Sequence, residues 1–174
     1  PEAAGKGVLT VLNNEIQCAR DVTKASTFRV ETFRPNELGF LGYADSDGQV
    51  VFYRTPTRKH TTATPFDVNE LQTLPRVDIV HSYPGADGLL VDSVREHGSA
   101  GLIIVGFGSG SLPPAVEEAG VRAIGDGVTV VVASRSTAGR VVMTPRKEEL
   151  GFIVCDNLLP QKARVLLMLA LTVT

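Results

Sequence analysis

No surplus of either charge marks this chain: seventeen Lys and Arg stand against nineteen Asp and Glu in 174 residues, a formal net charge of −2. A protein that grips a phosphate backbone carries a basic excess or patch, so nucleic acid is not an expected partner. Cysteine is scarce. Cys18 and Cys155 lie far apart with no CxxC spacing, which predicts neither a disulfide framework nor a zinc site. Histidine is scarce as well, and His60, His81 and His97 are scattered with no partner at metal-ligand spacing. Long apolar runs are missing: the longest, within "ARVLLMLALTVT", holds about nine residues where a bilayer span needs roughly 20, so no membrane partner is expected. There is no internal repeat and no low-complexity tract.

What is present suits a folded, water-soluble protein, with 43% apolar and 21% charged residues. The length allows one domain, or one domain and part of another, since a single core organises about 100–150 residues. The chain opens on "PEAAGKGVLTVL", with neither an initiator Met nor a charged-then-apolar leader, and closes on hydrophobic residues. Both ends read as cuts within a longer protein, so a fragment or one chain of a nicked enzyme is expected.

Two grammars follow one another along the chain. Val8 to Leu12 and Glu15 to Ala19 alternate around the turn pair Asn13-Asn14, which tolerates positive φ and predicts a hairpin. Asp45-Ser46-Asp47-Gly48 separates two further strand-like runs in the same way. Residues 55–75, with three prolines and many threonines, read as an interdomain linker. Beyond it strand and helix alternate. Arg76 to Tyr83 is a strand. Gly88 to His97 is a helix with Leu89, Leu90 and Val94 on its inner face and Gly98 as its stop. "GLIIVG" is a buried strand, Pro113 to Gly125 a helix opened by prolines, "VTVVVASRS" a strand and "GFIVCDN" another. A last helix begins near Pro160, and its Ala163, Val165, Leu166, Leu167, Leu169 and Ala170 predict burial nearly all round. The alternation predicts an α/β protein with a parallel sheet and crossover helices.

Local motifs stop short of a function. "GFGSGS", Gly106 to Ser111, lies at the carboxyl end of a buried strand, where open α/β sheets place ligands. It misses the GxGxxG dinucleotide fingerprint because its third glycine comes one position early, and it misses the GxSxG nucleophile elbow around Ser109. A ligand turn and a plain strand-to-helix connection both fit. "KEEL", Lys147 to Leu150, reads as a solvated charged loop, and His97 as a complement to a helix C-terminus. Lys24 in "DVTK" has Asp21 and Thr23 nearby, a pairing that diagnoses nothing by itself.

The segments "GVLTVLNNEIQCARDVTKAS", "YRTPTRKHTTATPFDV", "GFGSGS" and "LLPQKARVLLMLALTVT" together resemble the bacterial type II L-asparaginase and glutaminase-asparaginase family. The similarity runs in order across nearly the whole chain and covers the later half of such an enzyme. It implies hydrolysis of the side-chain amide of L-Asn, and also of L-Gln, through a threonine acyl-enzyme with no metal or organic cofactor. The nucleophile motif, of the form TGGT, and the second Thr–Asp pair are absent from these residues. The resemblance therefore implies an N-terminal remainder as partner, without which this polypeptide is inert.

Residue by residue, the family's "DVTK" lysine corresponds to Lys24, the catalytic triad lysine. The polar side chain of the glycine-rich turn corresponds to Ser111, where serine in place of asparagine implies broader Asn and Gln use. A glutamate that binds the substrate's α-ammonium corresponds to Glu148 or Glu149, with Glu148 favoured. The resemblance further implies a homotetramer with active sites shared between subunits, and a periplasmic or secreted location. Residues 1–54 then form the end of a catalytic N-domain and 76–174 a smaller C-terminal α/β domain. The rival expectation is a non-catalytic α/β module that uses the turn at Gly106 to Ser111 to bind an amino acid or nucleotide.

Overall fold

Asn13 and Asn14 take φ of 50° and 65°, the left-handed pair that a two-residue hairpin requires. They join β1 (Leu9–Leu12) to β2 (Glu15–Cys18) in antiparallel register, Leu12 opposite Glu15. Past β3 (Thr23–Lys24) and β4 (Phe33–Arg34), which form a two-stranded sheet of their own, β5 (Gly42–Ala44) and β6 (Val50–Phe52) form the second hairpin, with Gly48 at φ 82°. These strands make a four-stranded sheet of order β1-β2-β5-β6. Gly42 belongs to a close approach, since a Cβ there would sit 1.9 Å from the carbonyl oxygen of Val51. Ile16 and Leu41 are the buried apolar side chains of this part, joined by the amide of Gln17, which donates to Phe33 O at 3.2 Å and so ties β4 to β2.

The computed structural model describes residues 1–173 and divides the chain into two compact units, Pro1–Pro65 and Phe66–Thr174. Between residues 55 and 75 the regular structure is one 3₁₀ turn, Thr61–Ala63.

The second unit contains β7 (Val77–His81), α1 (Leu89–Glu96), β8 (Gly101–Gly106), α2 (Pro114–Gly125), β9 (Thr129–Ser134), α3 (Pro145–Glu149), β10 (Ile153–Val154) and α4 (Pro160–Ala170). Its sheet is parallel with order β10-β9-β8-β7. All six residues of β8 are buried, as a strand covered on both faces must be. Alternate side chains point to opposite faces. Gly101 meets Leu167 and Leu171 at the α4 end, whereas Ile104 lies beside Gly120 of α2, so α4 covers one face and the α1–α2 pair the other.

Three expectations from the periodicity need correction. In α1 the inner face is Val91, fully buried, and Val94, while Leu89 and Leu90 are 67% and 54% exposed. Helix phase is set by its start: Gly88, at φ 85°, has backbone of α2 so close that a Cβ would lie 2.7 Å from Ala115 O. In α4 burial is a stripe, Pro160, Ala163 and Leu167, and Val165 and Leu166 are exposed, because the sheet lies on one side of it. "KEEL" is no loop; Lys147, Glu148 and Glu149 belong to α3, and Leu150 caps it. His97 does cap α1, with Nδ1 2.7 Å from Ser93 O.

Candidate functional site

The carboxyl end of β8 runs into a turn that closes on itself. Phe107 and Ser111 exchange backbone hydrogen bonds, each 2.9 Å, and Gly110 N donates to Phe107 O at 2.9 Å. Gly106 allows this because a Cβ would fall 2.4 Å from Ser111 O. Gly110, at φ +93°, packs its backbone where a Cβ would meet Val141 Cγ1 at 2.6 Å and Val132 Cγ1 at 3.0 Å. Just past β9, Arg135 N donates to Gly106 O, and its guanidinium lies over the Phe107 ring, 4.6 Å from the centroid. Gly106 and Gly110 thus serve close packing, and the Ser111 side chain is exposed at the rim, its hydroxyl without a partner among the described residues.

Helix α3 stands beside this turn. Thr144 caps it, its Oγ1 accepting from Lys147 N at 3.3 Å, and Pro145 occupies the first turn, where no N–H is needed. Arg146 is held by Glu117 of α2, with Nε 3.1 Å from Oε1, and that bond raises the guanidinium's already high pKa. Glu149 adds a weaker attraction to the same guanidinium. Glu148 is exposed and makes no ion pair among the described residues. Half-buried Lys147 points the other way, its Nζ 3.2 Å from Ser109 O and 3.4 Å from Val142 O.

Past the turn lies a cavity of about 230 Å³ at the strand ends, lined among others by Ser109, Ser134, Thr137, Arg140, Asp156 and Asn157. Arg140 and Asp156, both in its lining, form an ion pair. Nearby Cys155 is buried, and burial pushes its thiol pKa up, away from the thiolate form. No group of three His, Cys, Asp or Glu among the described residues is arranged to hold a metal ion.

Of the residues singled out from the sequence, Ser111 and Glu148 lie in the second unit, on two elements that Lys147 ties together. Lys24 belongs to the first unit. It sits in β3 opposite Phe33, exposed and with no ion pair among the described residues. Asp21, its neighbour in sequence, is engaged by Arg20 at 2.9 Å and by Asn36 at 3.3 Å. Sequence reasoning passed over Thr144 and Lys147, although Thr-Pro ahead of a charged run is a helix-start signal.

A parallel sheet with a glycine turn at the carboxyl end of its strands is the open α/β arrangement, the class of fold that places ligands at that end. Residues 76–174 match the family profile described as Glutaminase/Asparaginase C-terminal domain, and residues 1–58 the one described as Asparaginase, N-terminal. This chain belongs to the glutaminase/asparaginase family.

It is 44% identical to L-asparaginase 2 of Bacillus subtilis, over 100% of this chain and 46% of that protein. Identity is 39% to the Probable L-asparaginase periplasmic of Haemophilus influenzae (99% and 50%), and 34% to the Glutaminase-asparaginase of Pseudomonas fluorescens (99% and 48%). The crystal structure of the Probable Cytoplasmic L-asparaginase from Campylobacter jejuni superposes with a TM-score of 0.94 at 42% identity, covering 99% of this chain and 55% of that one. The chain spans about half the length of the curated relatives it matches.

Proposed function

We propose that this chain is the later half of an amidohydrolase that converts L-asparagine, and L-glutamine as a second substrate, to the acid and ammonia. The supporting observation is the 44% identity to an L-asparaginase over 100% of the chain. In this reading a threonine hydroxyl supplied by polypeptide outside these residues attacks the side-chain amide carbon. Ammonia leaves with the proton the hydroxyl gave up, and water then opens the ester to free the acid and the threonine. Lys24 is the catalytic lysine. Exposed and unpaired within its own unit, it is available to a hydroxyl–carboxylate pair from the missing half, where its charge polarises the hydroxyl and aids proton movement.

Ser111 and Glu148 bind substrate, the hydroxyl accepting or donating to the amino acid's polar end and the carboxylate meeting its α-ammonium. Glu148 suits this better than Glu149, which already feels Arg146. We place Ser111 and Glu148 in the active site of a neighbouring subunit of a homotetramer, and the enzyme in the periplasm or outside the cell. Ammonia release by the complete polypeptide tests the reading; release from neither amide would overturn it.

The cavity beside Ser109 and Asn157 favours a second reading, capture of a small polar molecule without chemistry. Retention of labelled amino acid with no ammonia released would select it.

A further inference from the structure

Lys147 is placed unlike the other charged residues of α3. Arg146 faces a carboxylate, and Glu148 and Glu149 face solvent, but the Lys147 ammonium is directed at two backbone carbonyls, Ser109 O at 3.2 Å and Val142 O at 3.4 Å. Ser109 lies inside the glycine turn, two residues before Ser111. Val142 lies on the segment that leads into α3, and its neighbour Val141 presses on Gly110. Among the described residues, the backbone hydrogen bonds of the turn run within itself or to Arg135, just past β9. None of these fixes its distance from α3; Lys147 does, with charge-assisted bonds that are stronger than neutral ones.

We infer that Lys147 is a positioning residue that holds the Ser111 turn against the helix carrying Glu148, so that the two substrate-binding groups keep a constant spacing. The inference rests on the reading of Ser111 and Glu148 given above. It does not make Lys147 a catalytic residue, since its ammonium is committed to protein carbonyls.

The test is a set of variants of the complete enzyme assayed with L-asparagine: Lys147→Met, Lys147→Arg, Ser111→Ala and the double variant Lys147→Met/Ser111→Ala. Lys147→Met keeps the apolar stem and removes the donor; KM is expected to rise roughly tenfold, the scale of losing a charge-assisted hydrogen bond, with kcat changed far less. Lys147→Arg keeps a donor and recovers most of the loss. The double variant's KM falls short of the product of the two single effects, because one residue acts through the other. Hydrogen exchange at the Ser111 amide, bonded to Phe107 O, is faster in Lys147→Met.

If Ser111→Ala raises KM while Lys147→Met does not, or the two effects simply multiply, the positioning role falls and the site reading stands. If Ser111→Ala leaves KM untouched, the site reading falls and takes the positioning role with it. Should Lys147→Met fail to fold, Lys147→Gln replaces it in the same cycle and is judged by the same outcomes.

Discussion

Asp92 on α1 and Arg122 on α2 meet through two hydrogen bonds, Nη2 to Oδ2 at 2.6 Å and Nε to Oδ1 at 3.2 Å, so the two crossover helices are joined by a forked pair. The bond from Arg122, reinforced by the charges of Arg122 and Arg95 against the opposing effect of burial, holds the Asp92 carboxyl below its ordinary pKa. A carboxylate depressed in the folded state contributes stability that is complete above its unfolded value, about 3.9, and is lost as the pH falls through the lower folded value. Asp92→Asn is therefore expected to lower the urea midpoint at pH 7. The gap to the parent protein should close as the pH is taken below 3.9, and added salt should narrow it because Arg122 is partly exposed. A gap constant with pH would show that the pair does not carry the effect.

Gly110→Ala places a methyl group where Val141 and Val132 already stand, at a φ that L side chains rarely adopt. Strain and overpacking together are expected to cost about 2–4 kcal/mol. Thermal melting measures this. A melting temperature within a degree of the parent's would mean that the turn has slack the geometry does not show.

Lys24→Ala in the complete enzyme should lower turnover by roughly 10²–10⁴, the range of a proton-handling side chain. Ammonia release at saturating substrate reads it. Near-normal release removes Lys24 from the mechanism.

Ser111→Asn enlarges the side chain at the rim of the turn and offers an extra donor. The ratio of kcat/KM for L-asparagine over L-glutamine is expected to rise about fivefold, close to the 1 kcal/mol of one hydrogen bond. An unchanged ratio discards Ser111 as a specificity residue.

On the role proposed for Glu148, Glu148→Gln is expected to raise KM for both amides by removing the charge that would meet the α-ammonium, while Glu149→Gln leaves KM near the parent value. The reverse pattern would move the role one residue along α3.

Much of the architecture could be read from residues whose local chemistry decides the outcome. Asn13-Asn14 and Gly48 produced their hairpins because positive φ suits them, and the alternation of apolar strands and helices from Val77 to Ala170 yielded the parallel sheet. Helix faces were less legible. Leu89 and Leu90 carry the right residue type but the wrong phase, fixed by how Gly88 docks on Ala115, a contact that no periodicity encodes. Val165 and Leu166 look like core and are exposed, since apolar character does not say how many sides of a helix are covered.

The site was harder still. "GFGSGS" departs by one residue from two known patterns, and two of its glycines, Gly106 and Gly110, turn out to answer to Ser111 O, Val141 and Val132. Lys24, Ser111 and Glu148 are proposed from family wording and not from spacing, which does not connect residues that lie in different units and on three separate segments. The contact of Lys147 with the turn left no trace in the sequence, since backbone carbonyls are its partners and every residue has one.

Arg164 in α4 donates from Nε to the carbonyl of Val77 at 2.6 Å, across 87 positions of sequence. The helix that shields one side of the sheet is thus made long after the strand it fastens. On a translating ribosome β7, β8 and β9 emerge with that side still greasy and open, and a chain halted before Pro160 would present it to chaperones and to its own copies.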